Sequence, residues 1–225
     1  DLALARIAAE RPRPVPFFGE LGSINPMFVT AAHLAGREKD IATGFVGSFT
    51  LGAGQFCTKP GLLIAPRDEA LRSALVDSVG GAPGQRMLTD AIRDMFLAGV
   101  DQRVGIDEVE VLHQGGLDES TDSVRPTLMA VDAGTILAHP DLLEECFGPM
   151  SLLVEYTDEE QMLALADALP GLLAAGVHAN GDESILADLL PKLSVHAGRV
   201  LWGGWPTGVA VTWSMQHGGP FPATT

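Results

Sequence analysis

A cysteine in a glycine-containing loop is the residue of this chain best placed for nucleophilic chemistry. Cys57 lies in the segment Gly54-Gln55-Phe56-Cys57-Thr58, between a run typical of a helix and a run typical of a strand. A thiolate is a strong nucleophile, small neighbours give a substrate access, and the backbone N–H groups of a loop are available to a developing oxyanion. The segment therefore favours acyl chemistry. The alternative is an inert, buried thiol, which is the usual fate of a free cysteine.

Two further side chains are candidates for proton transfer to or from this thiol. Glu20 stands among aromatic residues and glycines in the segment Phe17–Ser23, an environment that suits a general base acting on a thiol or a water. His217 is the second candidate, because an imidazole titrates near neutral pH. A glutamate exposed in a turn and a structural, hydrogen-bonded histidine are the alternatives.

An acidic pair later in the chain is a candidate for ligand binding. Glu144 and Glu145 open the segment Glu144–Pro149, which comes directly before a predicted strand. We expect this segment at the open end of a parallel sheet, where binding loops lie and where one carboxylate can hold a ribose hydroxyl. An ordinary surface turn is the alternative.

The sequence predicts neither a metal site nor a nucleotide fingerprint. The histidines are dispersed, and neither they nor the two cysteines show ligand spacing such as C-x-x-C or H-E-x-x-H. Gly52-Ala53-Gly54 lacks the third glycine of a dinucleotide fingerprint and follows a helical run instead of a strand.

The elements that must position these residues alternate between short apolar strands and amphipathic helices. This alternation predicts an α/β fold, a three-layer αβα domain with a mostly parallel open sheet. The predicted strands cover residues 25–30, 61–65, 109–112, 127–131, 151–156, 171–178 and 199–202, and the predicted helices residues 2–9, 36–51, 68–79, 87–98, 158–168 and 183–193.

Composition narrows the possible partners and the compartment. The 225 residues carry 14 Lys and Arg against 29 Asp and Glu, a formal net charge of -15 that disfavours nucleic acid and anionic membrane surfaces as partners. Only two cysteines are present, which indicates a reducing compartment, although a Cys57–Cys146 bridge stays open. Neither a membrane-spanning run nor a signal peptide is visible, so we expect a cytoplasmic protein.

Four segments, in this order and spacing, resemble the aldehyde dehydrogenase superfamily over essentially the whole chain. They are ELGSINP at 20–26, GQFCT at 54–58, EECFGP at 144–149 and AGRVLWGGWPTGV at 197–209. The stretch GWPTGV, followed by HGGPFPAT, most resembles the branch that contains the α-ketoglutaric semialdehyde (2,5-dioxopentanoate) dehydrogenases and the NADP-dependent fatty aldehyde dehydrogenases.

The resemblance implies oxidation of an aldehyde or semialdehyde to a carboxylic acid with NAD or NADP. Cys57 would form a thiohemiacetal and then a thioester, Glu20 would activate the hydrolytic water, and His217 would lie near the nucleophile. Glu145 matches the family's glutamate at the nicotinamide ribose and Phe147 the aromatic residue beside it. Four aromatic residues are candidates for the aldehyde tunnel, with a core role equally open for the tryptophans: Phe18, Phe56, Trp202 and Trp205.

The resemblance also suggests a division of the chain. Residues 1–16 would be the end of a coenzyme-domain helix and a linker, residues 17–217 the catalytic domain, and residues 218–225 a truncated C-terminal segment. Because family members are about twice as long, we expect little dehydrogenase activity from these 225 residues alone, and a homo-oligomer for the full-length protein. A coenzyme-independent Cys/His hydrolase or acyl transferase and a non-catalytic binding or assembly domain are the alternatives.

Overall fold

The computed structural model describes residues 2–208, 212–215 and 217–225. These residues form a seven-stranded sheet covered by helices on both faces, together with a separate two-stranded hairpin. The strands are β1 (Pro26–Val29), β2 (Leu62–Pro66), β3 (Glu110–His113), β4 (Gly116–Asp118), β5 (Ser123–Arg125), β6 (Thr127–Asp132), β7 (Met150–Tyr156), β8 (Ala175–His178) and β9 (Val200–Trp202). The α-helices are α1 (Leu2–Glu10), α2 (Ala31–Leu34), α3 (Glu38–Thr50), α4 (Glu69–Gly80), α5 (Asp90–Val104), α6 (Ala133–Ala138), α7 (Glu159–Ala168) and α8 (Leu186–His196).

The large sheet is mostly parallel, as the alternating elements predict. Its strand order is β3-β6-β7-β2-β1-β8-β9, and only the edge strand β3 runs antiparallel to its neighbour β6. In the centre, Phe28 of β1 is paired with Ile64 of β2 and with Val177 of β8. Strands buried on both faces read as continuous apolar runs, which is why they are visible in the sequence.

Alternating residues of each strand face opposite layers. Phe28 and Ile64 pack into the core beneath α5, α6, α7 and α8, whereas Met27 and Leu63 pack into the core beneath α3 and α4. Because side chains alternate along a strand, one short apolar strand supplies both cores. The two cores hold the central strands in a fixed position, and the loops before these strands carry the candidate site.

Local capping explains where several helices begin. The side chains of Asp68, Thr89, Asp132 and Asp158 each accept a hydrogen bond from the N–H three residues on, at the first turn of α4, α5, α6 and α7. Such side chains satisfy N–H groups that have no partner inside the helix. The cap at Thr89 makes α5 begin three residues after Met87, the first residue of the predicted helix.

The predicted α/β three-layer fold is confirmed, with differences at its margins. The strand predicted from Gly171 to His178 begins only at Ala175, and the helix predicted from Met87 extends to Val104. The sequence reasoning missed the β4–β5 hairpin and the short helix α6, because neither is long enough to show a hydrophobic period. None of the described helices is long and apolar enough to cross a membrane.

The C-terminal residues are integrated into the domain. The N–H of Leu21 donates to the carbonyl of Ala223 at 2.8 Å, and the N–H of Thr225 donates to the carbonyl of Gly19 at 3.0 Å. Ala223 is completely buried. Residues 218–225, predicted as a truncated segment, therefore hold the stretch that carries Glu20.

Candidate active site

The candidate residues lie in loops that precede strands. Glu20 comes shortly before β1, Cys57 before β2 and Glu145 before β7, and these three strands are adjacent and parallel. The loops therefore meet at the amino ends of the strands. The acidic pair was expected at the open end of the sheet where ligands bind, which in doubly wound sheets is the end beyond the carboxyl ends of the strands. The structure corrects this expectation, because the pair lies at the amino ends.

The backbone before Cys57 has a conformation that depends on glycine. Gly52, Ala53 and Gly54 have φ angles of 57°, 56° and 66°. A Cβ atom on Gly54 would collide with the backbone of Gly148 and Pro149. Gly54 thus lets the loop of the thiol contact the loop that carries Glu145, and this close approach explains the glycine before the cysteine.

Asn25 holds the thiol loop from below. Its side chain is completely buried, and its Nδ2 donates to the carbonyls of Cys57 at 2.9 Å, Lys59 at 3.0 Å and Ser23 at 3.0 Å. Its Oδ1 accepts from the Ser23 hydroxyl at 2.6 Å and from the N–H of Ala174 at 3.1 Å. One asparagine therefore connects the loop of Cys57 with the segments before β1 and before β8.

Lys59 connects the same loop to the acidic segment. Its side chain is 1% exposed, and its ammonium donates to the carbonyls of Cys146 and Met150, each at 2.9 Å. Burial lowers the pKa of this lysine. Because the ammonium bonds both ends of the turn between Cys146 and Met150, Lys59 is a positioning residue for Glu145 and Phe147.

A third segment brings His217 to the thiol. After β9 the chain runs back along α3, where Trp205 packs against Phe45 with ring centroids 6.0 Å apart and Thr207 lies 2.7 Å from the Ser48 hydroxyl. The hydroxyl of Thr58 donates to the carbonyl of Pro206 at 2.8 Å. These contacts fix the return of the chain from the carboxyl end of the sheet to its amino end.

Cys57, Glu20 and His217 converge at this point. The Cys57 Sγ lies 3.7 Å from Nε2 of His217, and the same Nε2 lies 2.7 Å from Oε2 of Glu20. One ligating atom of each side chain lies within 4.8 Å of the other two. All three residues are exposed, so the cluster is open to a reactant.

The environment of Cys57 acts on its thiol in opposite directions. Partial burial and then the negative charge of Glu20 raise its pKa. The backbone N–H groups of Thr58 and Cys57 act the other way, because they stabilise the thiolate. The net effect raises the pKa of the thiol, which favours its protonated form, and Glu20 is in place to accept the proton.

Two cavities meet at His217. One, of about 350 Å³, is mainly apolar and is lined by Phe56, Cys57, Thr58, Gly208, Thr212, Met215 and His217. The other, of about 510 Å³, contains Glu20 and is also lined by His217. The thiol thus faces an apolar cavity, while the carboxylate faces a more polar one that water can enter.

The second candidate group lies in the adjoining loop. Oε2 of Glu145 accepts a hydrogen bond from the N–H of Ser23 at 3.3 Å, whereas its buried Oε1 has no partner among the described residues. Burial raises the pKa of this carboxyl. An orphaned buried carboxylate oxygen fits a ligand hydroxyl, so the residues present fit a ribose. Phe147, 37% exposed, lines a cavity of about 330 Å³ together with Glu145.

Comparison with known proteins finds relatives that match the whole of this chain. The chain is 40% identical to α-ketoglutaric semialdehyde dehydrogenase 2 of Azospirillum brasilense over 228 residues, covering 100% of this chain and 43% of that protein. It is 39% identical to an α-ketoglutaric semialdehyde dehydrogenase of Acinetobacter baylyi, covering 100% of this chain and 44% of that protein. By sequence, the chain belongs to the aldehyde dehydrogenase superfamily.

Solved structures of this superfamily share the fold. The chain superimposes on 1-pyrroline-5-carboxylate dehydrogenase of Thermus thermophilus with a TM-score of 0.80 at 20% identity, covering 100% of this chain and 44% of that one. Proline utilization A of Bradyrhizobium japonicum gives 0.82 at 24% identity, with 100% and 23% covered. A scan against protein-family models gave no match. The chain spans less than half the length of the curated relatives it matches.

The four aromatic candidates lie in different surroundings. Phe56 alone of the four lines the cavity at Cys57. Phe18 is 90% exposed beside the cavity of Glu20. Trp205 packs against Phe45 and His178 and leaves no space for a side chain at Gly44, so it has a core role. Trp202 is exposed but lines neither cavity.

The structure brings Glu20, Cys57 and His217 together and places Glu145 and Phe147 in the adjoining loop. Both cysteines are free, with Cys57 exposed and Cys146 buried, so the described residues contain no Cys57–Cys146 disulfide. Sequence reasoning missed Asn25 and Lys59. Asn25 has a local signal, since it stands in the ELGSINP segment directly before a buried strand, whereas nothing in the sequence distinguishes Lys59 from a surface lysine.

Proposed function

We propose that this chain is the catalytic part of an NAD(P)-dependent aldehyde dehydrogenase that oxidises an aldehyde or semialdehyde to a carboxylic acid. One observation carries the proposal: an exposed thiol, a carboxylate and an imidazole converge at the mouth of an apolar cavity. The orphaned oxygen of Glu145 in the adjoining loop supports a coenzyme ribose at that side.

The first step is attack of the Cys57 sulfur on the aldehyde carbon. Glu20 takes the thiol proton, since its carboxylate lies within 4.8 Å of the sulfur. The backbone N–H groups of Cys57 and Thr58 lower the pKa of the thiol, and the same groups would stabilise the oxyanion that forms on the carbon bound to the sulfur. The product of this step is a thiohemiacetal on Cys57.

The remaining steps convert the thiohemiacetal to an acid. NAD(P)+, when bound, would supply the hydride acceptor, which would leave a thioester on Cys57, and Glu20 releases the thiol proton to the solvent. Glu145 and Phe147 would hold the ribose end of the coenzyme. Glu20 then removes a proton from a water in the polar cavity, and the hydroxide attacks the thioester carbon and releases the carboxylic acid. The thiol of Cys57 is regenerated.

A semialdehyde of the α-ketoglutaric type is the proposed substrate class. Two relatives near 40% identity carry that name, and they match this chain over its whole length. The cavity at the thiol is mainly apolar and has room for a short carbon chain.

A coenzyme-independent Cys/His hydrolase is disfavoured by the imidazole. In a nucleophile–His–acid triad, one ring nitrogen faces the nucleophile and the other faces the acid. Here Nε2 of His217 faces both Cys57 and Glu20. A proton on Nε2 that is donated to Glu20 cannot at the same time leave that nitrogen free to accept from the thiol.

The test is NAD(P)H formation from α-ketoglutaric semialdehyde by the protein that contains these residues. Cys57→Ala is expected to abolish it, and the matched control Cys146→Ala to retain it, because Cys146 is buried away from the cavities of the thiol. Trapping of an acyl adduct on Cys57, found by mass spectrometry, is the second readout. Full activity of Cys57→Ala, or acid release that needs no coenzyme, would overturn the proposal.

We further propose that the 225 residues by themselves form little NAD(P)H. They match 43% of the relative's length, and the resemblance assigns the main coenzyme site to the other part. Robust NAD(P)H formation by the isolated chain would contradict this. A thiol probe that leaves Cys57 unmodified would instead favour a non-catalytic domain.

A further inference from the structure

The cluster at the thiol also has the composition of a zinc site. Cys57, Glu20 and His217 offer one sulfur, one oxygen and one nitrogen, all within 4.8 Å of one another. Thiolate, imidazole and carboxylate are the three protein ligands of Zn²⁺, whereas Mg²⁺ and Ca²⁺ prefer oxygen alone. Sequence spacing did not predict this set, because the three residues come from distant parts of the chain.

The geometry requires little movement to bind a metal. Tetrahedral zinc with ordinary bond lengths places its sulfur and nitrogen ligands about 3.6 Å apart and its nitrogen and oxygen ligands about 3.4 Å apart. The observed Sγ to Nε2 distance is 3.7 Å, and the Nε2 to Oε2 distance of 2.7 Å would have to lengthen slightly. Because all three side chains are exposed, rotation about their own bonds can supply that change.

The position of the His217 ring nitrogen also favours a metal site. Nε2 of His217 faces both the sulfur and the carboxylate, which is unsuited to a proton relay but places three donor atoms around one point. A divalent cation there would neutralise the charges of the Glu20 carboxylate and the Cys57 thiolate. The net charge of -15 further favours a cation over an anion near this surface.

We propose that Cys57, Glu20 and His217 bind one Zn²⁺ ion and that this ion reversibly blocks the thiol. On binding, the Cys57 thiol releases its proton to the solvent and forms a Zn–S bond, and the imidazole binds through Nε2 with its proton on Nδ1. A water completes the four ligands. Binding depends on the geometry alone, whereas inhibition of aldehyde oxidation also depends on the proposed function.

The first test measures Zn²⁺ binding to the chain by titration calorimetry, with excess Mg²⁺ to occupy non-specific acidic sites. We expect one ion per chain, and an affinity about tenfold or more weaker in Cys57→Ser, Glu20→Gln and His217→Gln. Cys146→Ala and His196→Gln are the matched controls and should bind as the unaltered chain does. Equal affinity in all five variants would overturn the proposal.

A second measurement uses the unaltered chain and does not depend on how a variant folds. Iodoacetamide labelling, mapped by mass spectrometry, should become slower at Cys57 when Zn²⁺ is present and should recover when a chelator is added. Co²⁺ in place of Zn²⁺ should give the strong absorption of a tetrahedral thiolate complex. Labelling of Cys57 at the same rate with and without Zn²⁺ would refute the site, whether or not the chain oxidises an aldehyde.

Discussion

Replacement of Asn25 by alanine removes the side chain that holds the loop of the thiol. The asparagine is completely buried, and its amide donates to the backbone carbonyl of the nucleophile Cys57 and to that of Lys59, two residues on. Alanine keeps the apolar Cβ but leaves these carbonyls, and the N–H of Ala174, without their partner. The loop would lose these side-chain hydrogen bonds to the segment between Glu20 and β1.

The size of the effect follows from the contacts. The amide group has two hydrogens and one oxygen with two acceptor sites, so Asn25 makes about four effective hydrogen bonds with its neighbours. At about 1 kcal/mol for each, their loss lowers the free energy of unfolding by about 4 kcal/mol. The φ angle of 48° at this position adds strain of about 1 kcal/mol for alanine, because only glycine and asparagine tolerate that region well.

Urea unfolding followed by tryptophan fluorescence measures this loss. The matched control is Asn180→Ala, since Asn180 is exposed and its amide donates to the carbonyl of Ala32 at 3.1 Å. We expect the control to change the free energy of unfolding by less than about 1 kcal/mol. If Asn25→Ala were no more destabilising than Asn180→Ala, the role assigned to the buried amide would be wrong.

Two further predictions concern the thiol and its loop. Glu20→Gln should lower the pKa of Cys57, because the carboxylate charge disfavours the thiolate. Alkylation of Cys57 by iodoacetamide should then reach half its maximal rate at a lower pH. An unchanged pH profile would exclude this coupling between Glu20 and Cys57. Gly54→Ala should lower the free energy of unfolding by about 1 to 3 kcal/mol more than Gly36→Ala. Gly54 and Gly36 both have positive φ angles, 66° and 76°, but of the two only Gly54 would bring an added Cβ against another backbone segment, at Gly148. Equal thermal stability of the two variants would contradict this contact.

Much of this fold could be predicted from the sequence. The central strands β1, β2 and β7 are apolar because both of their faces are buried. The helices that follow β2 and β7 are marked by the capping residues Asp68 and Asp158. These signals are local, so they need no knowledge of the rest of the chain. The short elements β4, β5 and α6 gave no such signal.

The sequence by itself also determined which residues could do the chemistry. Cys57, Glu20 and Glu145 stand in segments whose order and spacing indicate the aldehyde dehydrogenase superfamily, and the comparisons confirm that family. A nucleophile, a carboxylate and an imidazole can be named from residue type alone. Their distances and shared partners cannot, because they depend on long-range packing.

Only the tertiary structure decided how these residues act together. It placed the loops at the amino ends of the strands, turned one nitrogen of His217 toward both Cys57 and Glu20, and buried Lys59 between two loops. The physical reason is that Cys57, Glu20 and His217 are held together by the two hydrophobic cores and by the segment that returns after β9. The parts of the chain that pack together there are far apart in the sequence. A residue's type fixes its chemistry, whereas the fold fixes its neighbours.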